Sequence, residues 1–292
     1  MKVKPIKLTQ KELLPKGLLH PRIDFTQLEC QFDVIEKKIS FLHVTDFHLG
    51  YLGFHSWLTI NRQIQLMKKL VDIIKKYKPA ALLFTGDLST KVGFPGHFSA
   101  SSELLDRILF PLRTISIPKY ATLGNHDNIA TASRVILQNY GFITASKYQQ
   151  HPLISDPMEN FSIWALPDFE TQRKLHDKVS AHIAKNYASL DKKTLPIILA
   201  HNPDSFDHLP ADLKYFGLAG HTHGGGYMNR KMNKLAIKIL GLENKSYDSG
   251  IFTTPVGSIV YISRGAGRHI GTPLSTMPME VTLVSILGTK KM

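Results

Sequence analysis

Short apolar runs recur along the chain, and several break off abruptly into polar clusters. ISFLHV (39–44) runs into TDFHLG, AALLF (80–84) into TGDLS, and IPKYATL (117–123) into GNHDN. PIILA (196–200) runs into HNPDS, and YFGLA (215–219) into GHTHGGG. Continuous apolar runs of this length predict strands buried on both faces. SIVYIS (258–263) and EVTLVSIL (280–287) predict two more. Between the strands the period changes. Ile60, Ile64, Met67, Val71, Ile74 and Tyr77 recur at steps of three or four, which predicts an amphipathic helix over 58–78 ended by Pro79. Residues 101–114 and 131–140 read as helices too, the second stopped by Gly141, and 168–188 as a longer, polar, exposed helix. Strand alternating with helix predicts an α/β layered fold. Ligands in such folds gather beyond the carboxyl ends of the strands, and there the five polar clusters fall.

Those clusters supply Asp46 and His48; Asp87; Asn125, His126 and Asp127; His201; and His221 with His223. Oxygen and imidazole donors without thiolates suit hard to borderline divalent ions such as Mn, Fe, Zn or Mg. The donors are too many for one ion and about enough for a pair bridged by a carboxylate. Two ions about 3.5–4 Å apart can hold both non-bridging oxygens of a phosphate, and a bridging water then becomes a hydroxide near neutral pH. A neighbouring histidine can protonate the departing oxygen. Residues one apart on an extended segment face the same side. His221 and His223 are therefore expected to reach different ions, with Thr222 pointing elsewhere and the flanking glycines letting the backbone come close. Each fragment alone fits a turn or a hydrogen-bonded structural histidine; all five in sequence, each after a buried strand, do not.

Bulk properties narrow the class further. A chain of 292 residues with 43% apolar content has ample material for a core. Cys30 is the single cysteine, which rules out an internal disulfide and fits a reducing compartment. No apolar run approaches the roughly 20 residues that span a bilayer. The basic N-terminus MKVKPIKLTQKELLPKG lacks the apolar stretch of a secretory signal. The expected location is the cytoplasm, with peripheral contact on the inner face of the membrane as an extension. A formal charge of +13, from 36 Lys+Arg against 23 Asp+Glu, favours anionic partners: nucleic acid, anionic lipid or a phosphorylated substrate. No specific nucleic-acid motif accompanies that charge.

The blocks DFH (46–48), GD (86–87), GNHD (124–127), His201 and GHTH (220–223) resemble, in this order, the calcineurin-like metallophosphoesterase superfamily. The resemblance implies a four-layer αββα sandwich in a single domain over 1–292. It assigns Asp46, His48 and His223 to one metal and Asn125, His201 and His221 to the other, with Asp87 bridging. It makes His126 a group that stabilises the phosphate or protonates the leaving oxygen, and Asp127 the residue that orients His126. HNPD (201–204), GHTHGG, SYDSGIF (246–252), YISRGAG (261–267) and the PMEVTL ending are similar to a narrower subgroup, the bacterial YaeI, YkuE and LpxG types. Three departures stand out: Gly226 where the subgroup commonly has Gln, no arginine in GTPLST, and no membrane anchor in this sequence.

Two segments are candidates for reading the substrate. LGYLGFHSWL (49–58) carries Tyr51, Phe54 and Trp57 just after His48, either as an apolar mouth or as a loop packed on the next helix. In 227–247, Arg230, Lys231, Lys234, Lys238 and Lys245 surround Leu235, Ile237, Ile239, Leu240 and Leu242, the composition of an amphipathic cap for an anionic lipid or of an ordinary packed cap. Arg264 either meets a phosphate or braces the final turn. The expected activity is dimetal hydrolysis, with Mn(II) as the favoured ion, of a phosphodiester or pyrophosphate in a lipid-linked UDP-sugar such as UDP-diacylglucosamine of lipid A synthesis. The alternatives are a nucleotide or nucleic-acid phosphodiesterase and a non-catalytic metal-bound scaffold.

Overall fold

Two sheets carry the chain. The computed structural model describes residues 3–16, 22–32, 38–49, 56–89, 101–127, 131–144, 153–154, 160–167, 176–225, 246–254, 256–267 and 278–288. The first sheet has the strand order β1 (Val3–Leu14), β2 (Ile23–Phe32), β13 (Met279–Gly288), β3 (Ile39–Val44), β4 (Ala81–Thr85), β5 (Lys119–Thr122) and β6 (Phe142–Thr144). The second has β11 (Gly250–Thr253), β12 (Ile259–Ile262), β10 (Phe216–Ala219), β9 (Leu195–Leu199), β8 (Phe161–Ala165) and β7 (Leu153–Ile154). Strands β3 to β6 are mutually parallel, as are β8, β9, β10 and β12. The carboxyl ends that bear the motifs therefore lie along one rim of each sheet.

Alternation within the strands builds three cores. Leu42 and Val44 of β3, Leu82 and Phe84 of β4, and Val281 and Leu283 of β13 face α1 (Ser56–Tyr77), α2 (Ser102–Leu109) and α3 (Thr131–Asn139). Phe41, Leu83 and Val284 point the other way and pack on Ile163, Ile197, Leu218 and Tyr261 of the second sheet. Trp164, Ile198, Val260 and Ile262 face outward onto Val179 and Ile183 of α4 (His176–Ser189). The order is helices, sheet, sheet, helix, and the continuous apolar runs are strands covered on both faces.

Several expected boundaries move. The first helix begins at Ser56 and ends at Tyr77; Lys78 turns left-handed (φ 47°), so the break precedes Pro79. The expected helix 101–114 is α2, capped by the Ser101 hydroxyl accepting from Leu104 N–H at 3.2 Å, followed by a 3-10 turn over Phe110–Thr114. Pro111 cannot donate an α-helical hydrogen bond, which accounts for the tightening. Of the expected helix 168–188, α4 begins at His176; residues 168–175 lie outside the described ones, and Val179 and Ile183 are buried rather than exposed. Strands β1, β2, β6, β7, β8 and β11 are additions to the expected set. Among the described residues no helix is long and apolar enough to cross a membrane.

Candidate metal centre

Five loops leave the carboxyl ends of β3, β4, β5, β9 and β10 and converge. The first two run together. Asp46 N–H donates to Gly86 O (2.9 Å), His48 N–H to Asp87 O (3.1 Å) and Leu49 N–H to Leu88 O (2.8 Å). This pairing brings the Asp46–His48 segment alongside Asp87. From the second sheet His201 crosses over, its Nδ1 2.8 Å from Thr85 O. A carbonyl only accepts, so Nδ1 carries the proton and Nε2 is turned to the centre.

The donors form two groups with a shared member. Asp46, His48 and His223 offer ligand atoms within 4.8 Å of one another, as do Asp46, Asp87 and His201. His48 Nε2 lies 3.1 Å from His223 Nε2, which in turn is 3.4 Å from Asp46 Oδ1. Asn125 Oδ1 sits 3.0 Å from His201 Nε2 and 3.1 Å from His221 Nδ1. Asp87 Oδ2 reaches both groups, 3.3 Å from His201 Nε2 and 3.7 Å from His48 Nε2. Asp46, His48, Asp87, His201 and His223 are buried, whereas Asn125, His126 and His221 are half-buried. The centre thus has a closed floor and one accessible side. An all oxygen-and-nitrogen donor set, converging to this separation, fits two divalent cations.

His221 and His223 do not lie on the expected extended segment. Both are left-handed (φ 71° and 49°), Thr222 N–H donates to Gly220 O at 2.8 Å, and a 3-10 turn follows over His223–Gly225. This tight turn sends the two rings apart, His221 toward Asn125 and His201, His223 toward His48 and Asp46. The buried Thr222 hydroxyl donates to Asp248 O. Asp46 (φ 52°), His48 (φ 44°) and Asp87 (φ 58°) are left-handed as well. Five of the six described non-glycine residues with positive φ therefore sit in this centre. Each such residue costs on the order of 1–3 kcal/mol and persists where its surroundings over-determine it.

Burial crowds the charges. For Asp46, burial and the neighbouring Asp87 carboxylate outweigh His201, raising its pKa to about 7. At Asp87 burial also pushes upward, but the charge and hydrogen bond of His201, with His48 and His126, hold it well below the usual carboxylate range. His201 is depressed by burial and raised more strongly by Asp87, to about 10. Burial and Asp87 lift Asp127 to about 6.

Asp127 was expected to orient His126. The carboxylate is seen to serve the Asp87 loop: Oδ2 accepts from Asp87 N–H (2.7 Å) and Gly124 N–H (3.0 Å), and Oδ1 from Leu88 N–H (3.0 Å). Backbone amides that close fill both oxygens and draw the side chain inward. His126 is placed by its own amide, which donates to Asp87 Oδ1 at 2.9 Å, and its ring stands edge-on to His48 at 5.0 Å between centroids.

Arg264 braces its surroundings. Its guanidinium donates to Glu280 Oε2 (3.0 Å) and lies 3.5 Å from Asp24 Oδ2, so two buried carboxylates hold it. Tyr51, Phe54 and Arg230 lie outside the described residues, as does 227–245 of the basic segment; Trp57 falls in the first turn of α1 with its side chain undescribed. A cavity of about 550 Å³ walled by Phe206, Tyr215, Tyr247 and Phe252 contains none of the metal donors. Sequence reasoning missed Thr85, whose carbonyl fixes His201, and Glu280. The signal for Glu280 was a lone acid inside the apolar run MEVTLVSIL.

A family model described as calcineurin-like phosphoesterase matches residues 39–225. Among curated proteins, the chain is 28% identical over 287 residues to UDP-2,3-diacylglucosamine pyrophosphatase LpxG of Chlamydia trachomatis, covering 80% of this chain and 81% of that protein. It is 26% identical over 235 residues to phosphodiesterase YaeI of Escherichia coli, covering 77% and 76%. The uncharacterized metallophosphoesterase YkuE of Bacillus subtilis is 26% identical over 235 residues, covering 76% and 73%.

Proposed function

The chain belongs to the calcineurin-like phosphoesterase family, and from that premise we propose that it hydrolyses the pyrophosphate bond of a lipid-linked UDP-sugar, with UDP-diacylglucosamine as the leading substrate. Membership makes it a metal-dependent phosphoester hydrolase with a two-metal centre. The observation that carries the site assignment is the position of Asp87 Oδ2, within 3.7 Å of a ring nitrogen from each donor group. On this reading Asp46, His48 and His223 hold one ion, Asn125, His201 and His221 the other, and Asp87 bridges. Mn(II) is the leading ion on this reading, and Fe, Zn or Mg suit the same oxygen and imidazole donors. Bound there, two divalent ions would polarise the P–O bond and acidify a water molecule.

The remaining work belongs to side chains. His126, on the half-buried side, is positioned to stabilise the phosphate and give a proton to the leaving oxygen. Asp127 keeps the Asp87 loop closed through its amide contacts and acts as a positioning residue. The likeness to LpxG over 80% of the chain supports the lipid-linked substrate. So does the basic and apolar composition of 227–247, a candidate cap that would meet an anionic membrane on the inner face. A second reading, a nucleotide or nucleic-acid phosphodiesterase, is favoured by the +13 charge and the likeness to YaeI.

One panel separates them. Mn(II)-loaded protein is expected to cleave bis-para-nitrophenyl phosphate, and Asp87→Ala to reduce turnover at least 1,000-fold, on the order expected when charge stabilisation at the reacting phosphate is lost. UDP-diacylglucosamine in detergent micelles is then expected to exceed cyclic nucleotides and single-stranded DNA in kcat/KM. A preference for the nucleotides would transfer the function to the second reading. Inertness with every divalent ion would sink both.

A further inference from the structure

Glu280 is a buried carboxylate at the start of an apolar strand, and four donors converge on it. Oε1 accepts from Tyr261 O–H (3.1 Å) and Arg264 N–H (2.9 Å). Oε2 accepts from Thr26 O–H (2.7 Å) and Arg264 Nη2 (3.0 Å). Thr26 and Glu280 belong to the first sheet, Tyr261 to the second, and Arg264 follows the end of β12. The carboxylate is a clamp across the sandwich at the rim that bears the metal centre.

What the clamp holds is the segment 263–267, and this segment touches both halves of the centre. Ser263 N–H donates to Ala219 O (2.9 Å), just ahead of His221. Glu280 N–H donates to Gly265 O (2.7 Å). Ala266 N–H donates to Thr45 O (3.0 Å) and Gly267 N–H to Asp46 O (2.7 Å). Asp46 is left-handed, so its backbone needs such external ties. Its carboxylate meanwhile accepts from His221 N–H at 3.0 Å and from Thr45 O–H at 2.7 Å. One ion of the pair would draw Asp46 and His48 from the first sheet and His223 from the second. The other would draw Asn125 from the first and His201 and His221 from the second; among the described residues the Asn125 loop makes none of these contacts with 263–267.

We propose that Glu280, with Arg264, is a positioning residue for the metal held by Asp46, His48 and His223: it anchors the 263–267 segment that sets Asp46 against the His221–His223 turn. This rests on the ligand set proposed above. A carboxylate is needed because it alone offers enough acceptor sites for four donors while balancing the arginine.

Calorimetric titration of metal-free protein with Mn(II), alongside far-UV circular dichroism, tests it. Wild type is expected to take up two equivalents. Glu280→Gln is expected to remain folded, bind one ion as before, and bind the other at least ~10-fold more weakly, the scale on which residues that orient metal ligands act. Combining it with His201→Ala is expected to leave only the weakened ion. Arg264→Lys keeps the charge but not the fork and should weaken the same ion less. A folded Glu280→Gln protein that binds both ions with wild-type affinity overturns the proposal, as does equal weakening of both. If both single variants lose their circular dichroism, the cluster serves stability and the proposal again falls. Should wild type itself fail to bind two equivalents, the ligand reading is what has failed, and this inference goes with it.

Discussion

An alanine at position 220 would set its methyl group onto the Asp46 carboxylate and the Thr45 hydroxyl. Neither can retreat. Thr45 O–H also reaches Thr85 O at 3.1 Å, and the Asp46 backbone is tied at both N–H and C=O. The glycine is thus required by close approach, ahead of a turn whose two histidines already carry left-handed strain. Gly220→Ala is expected to cost roughly 1–3 kcal/mol in stability, the range for overpacking. It should reduce Mn-dependent hydrolysis about 100-fold or more, because small misplacements of reacting groups carry such penalties. Thermal unfolding and turnover of the purified variant check both. Wild-type turnover would show that Asp46 has more freedom than its contacts allow.

Strands were legible where their burial needs no distant partner. The run 39–44 coincides with β3 because apolar cores lie on both of its faces. β2 escaped notice because Asp24 and Thr26 interrupt it; these are buried, and Thr26 meets its acceptor on Glu280, 254 residues away. No local pattern announces such a contact. The paired histidines show the same limit: their types and spacing identified the centre, but the turn that separates their rings depends on Asp46 and Asp248. Cys30 lies further along β2, opposite Ile286 of β13, packed between the sheets. Burial pushes its thiol up to about 12 from 9.0. The thiolate fraction at pH 8 then falls about 1,000-fold, in addition to the steric block. Native protein at pH 8 is expected to leave an aromatic disulfide reagent unreacted over an hour, and to release one equivalent once urea unfolds it. Rapid native labelling would mean that the two sheets part readily.

At the scale of the molecule, the centre is a seam between the two sheets. His201 reaches across to Thr85, Thr122 O–H donates to Leu166 O at 2.5 Å, and His221 N–H caps Asp46. Cations held by ligands from both sheets would bind the folded arrangement and not the separated strands, so metal stabilises by mass action. At a free ion concentration about 100 times Kd, each site contributes roughly 2.7 kcal/mol. For a chain of 292 residues that corresponds to about 5 °C in Tm per site, taking ~2 °C per kcal/mol. Chelation is therefore expected to lower Tm by about 10 °C, with the loss restored by Mn(II) and not by raised ionic strength. His201→Ala, deprived of one ion, should show about half that shift. If two equivalents bind yet Tm does not move, the unfolded chain holds the ions equally well, and the folded seam is not what binds them.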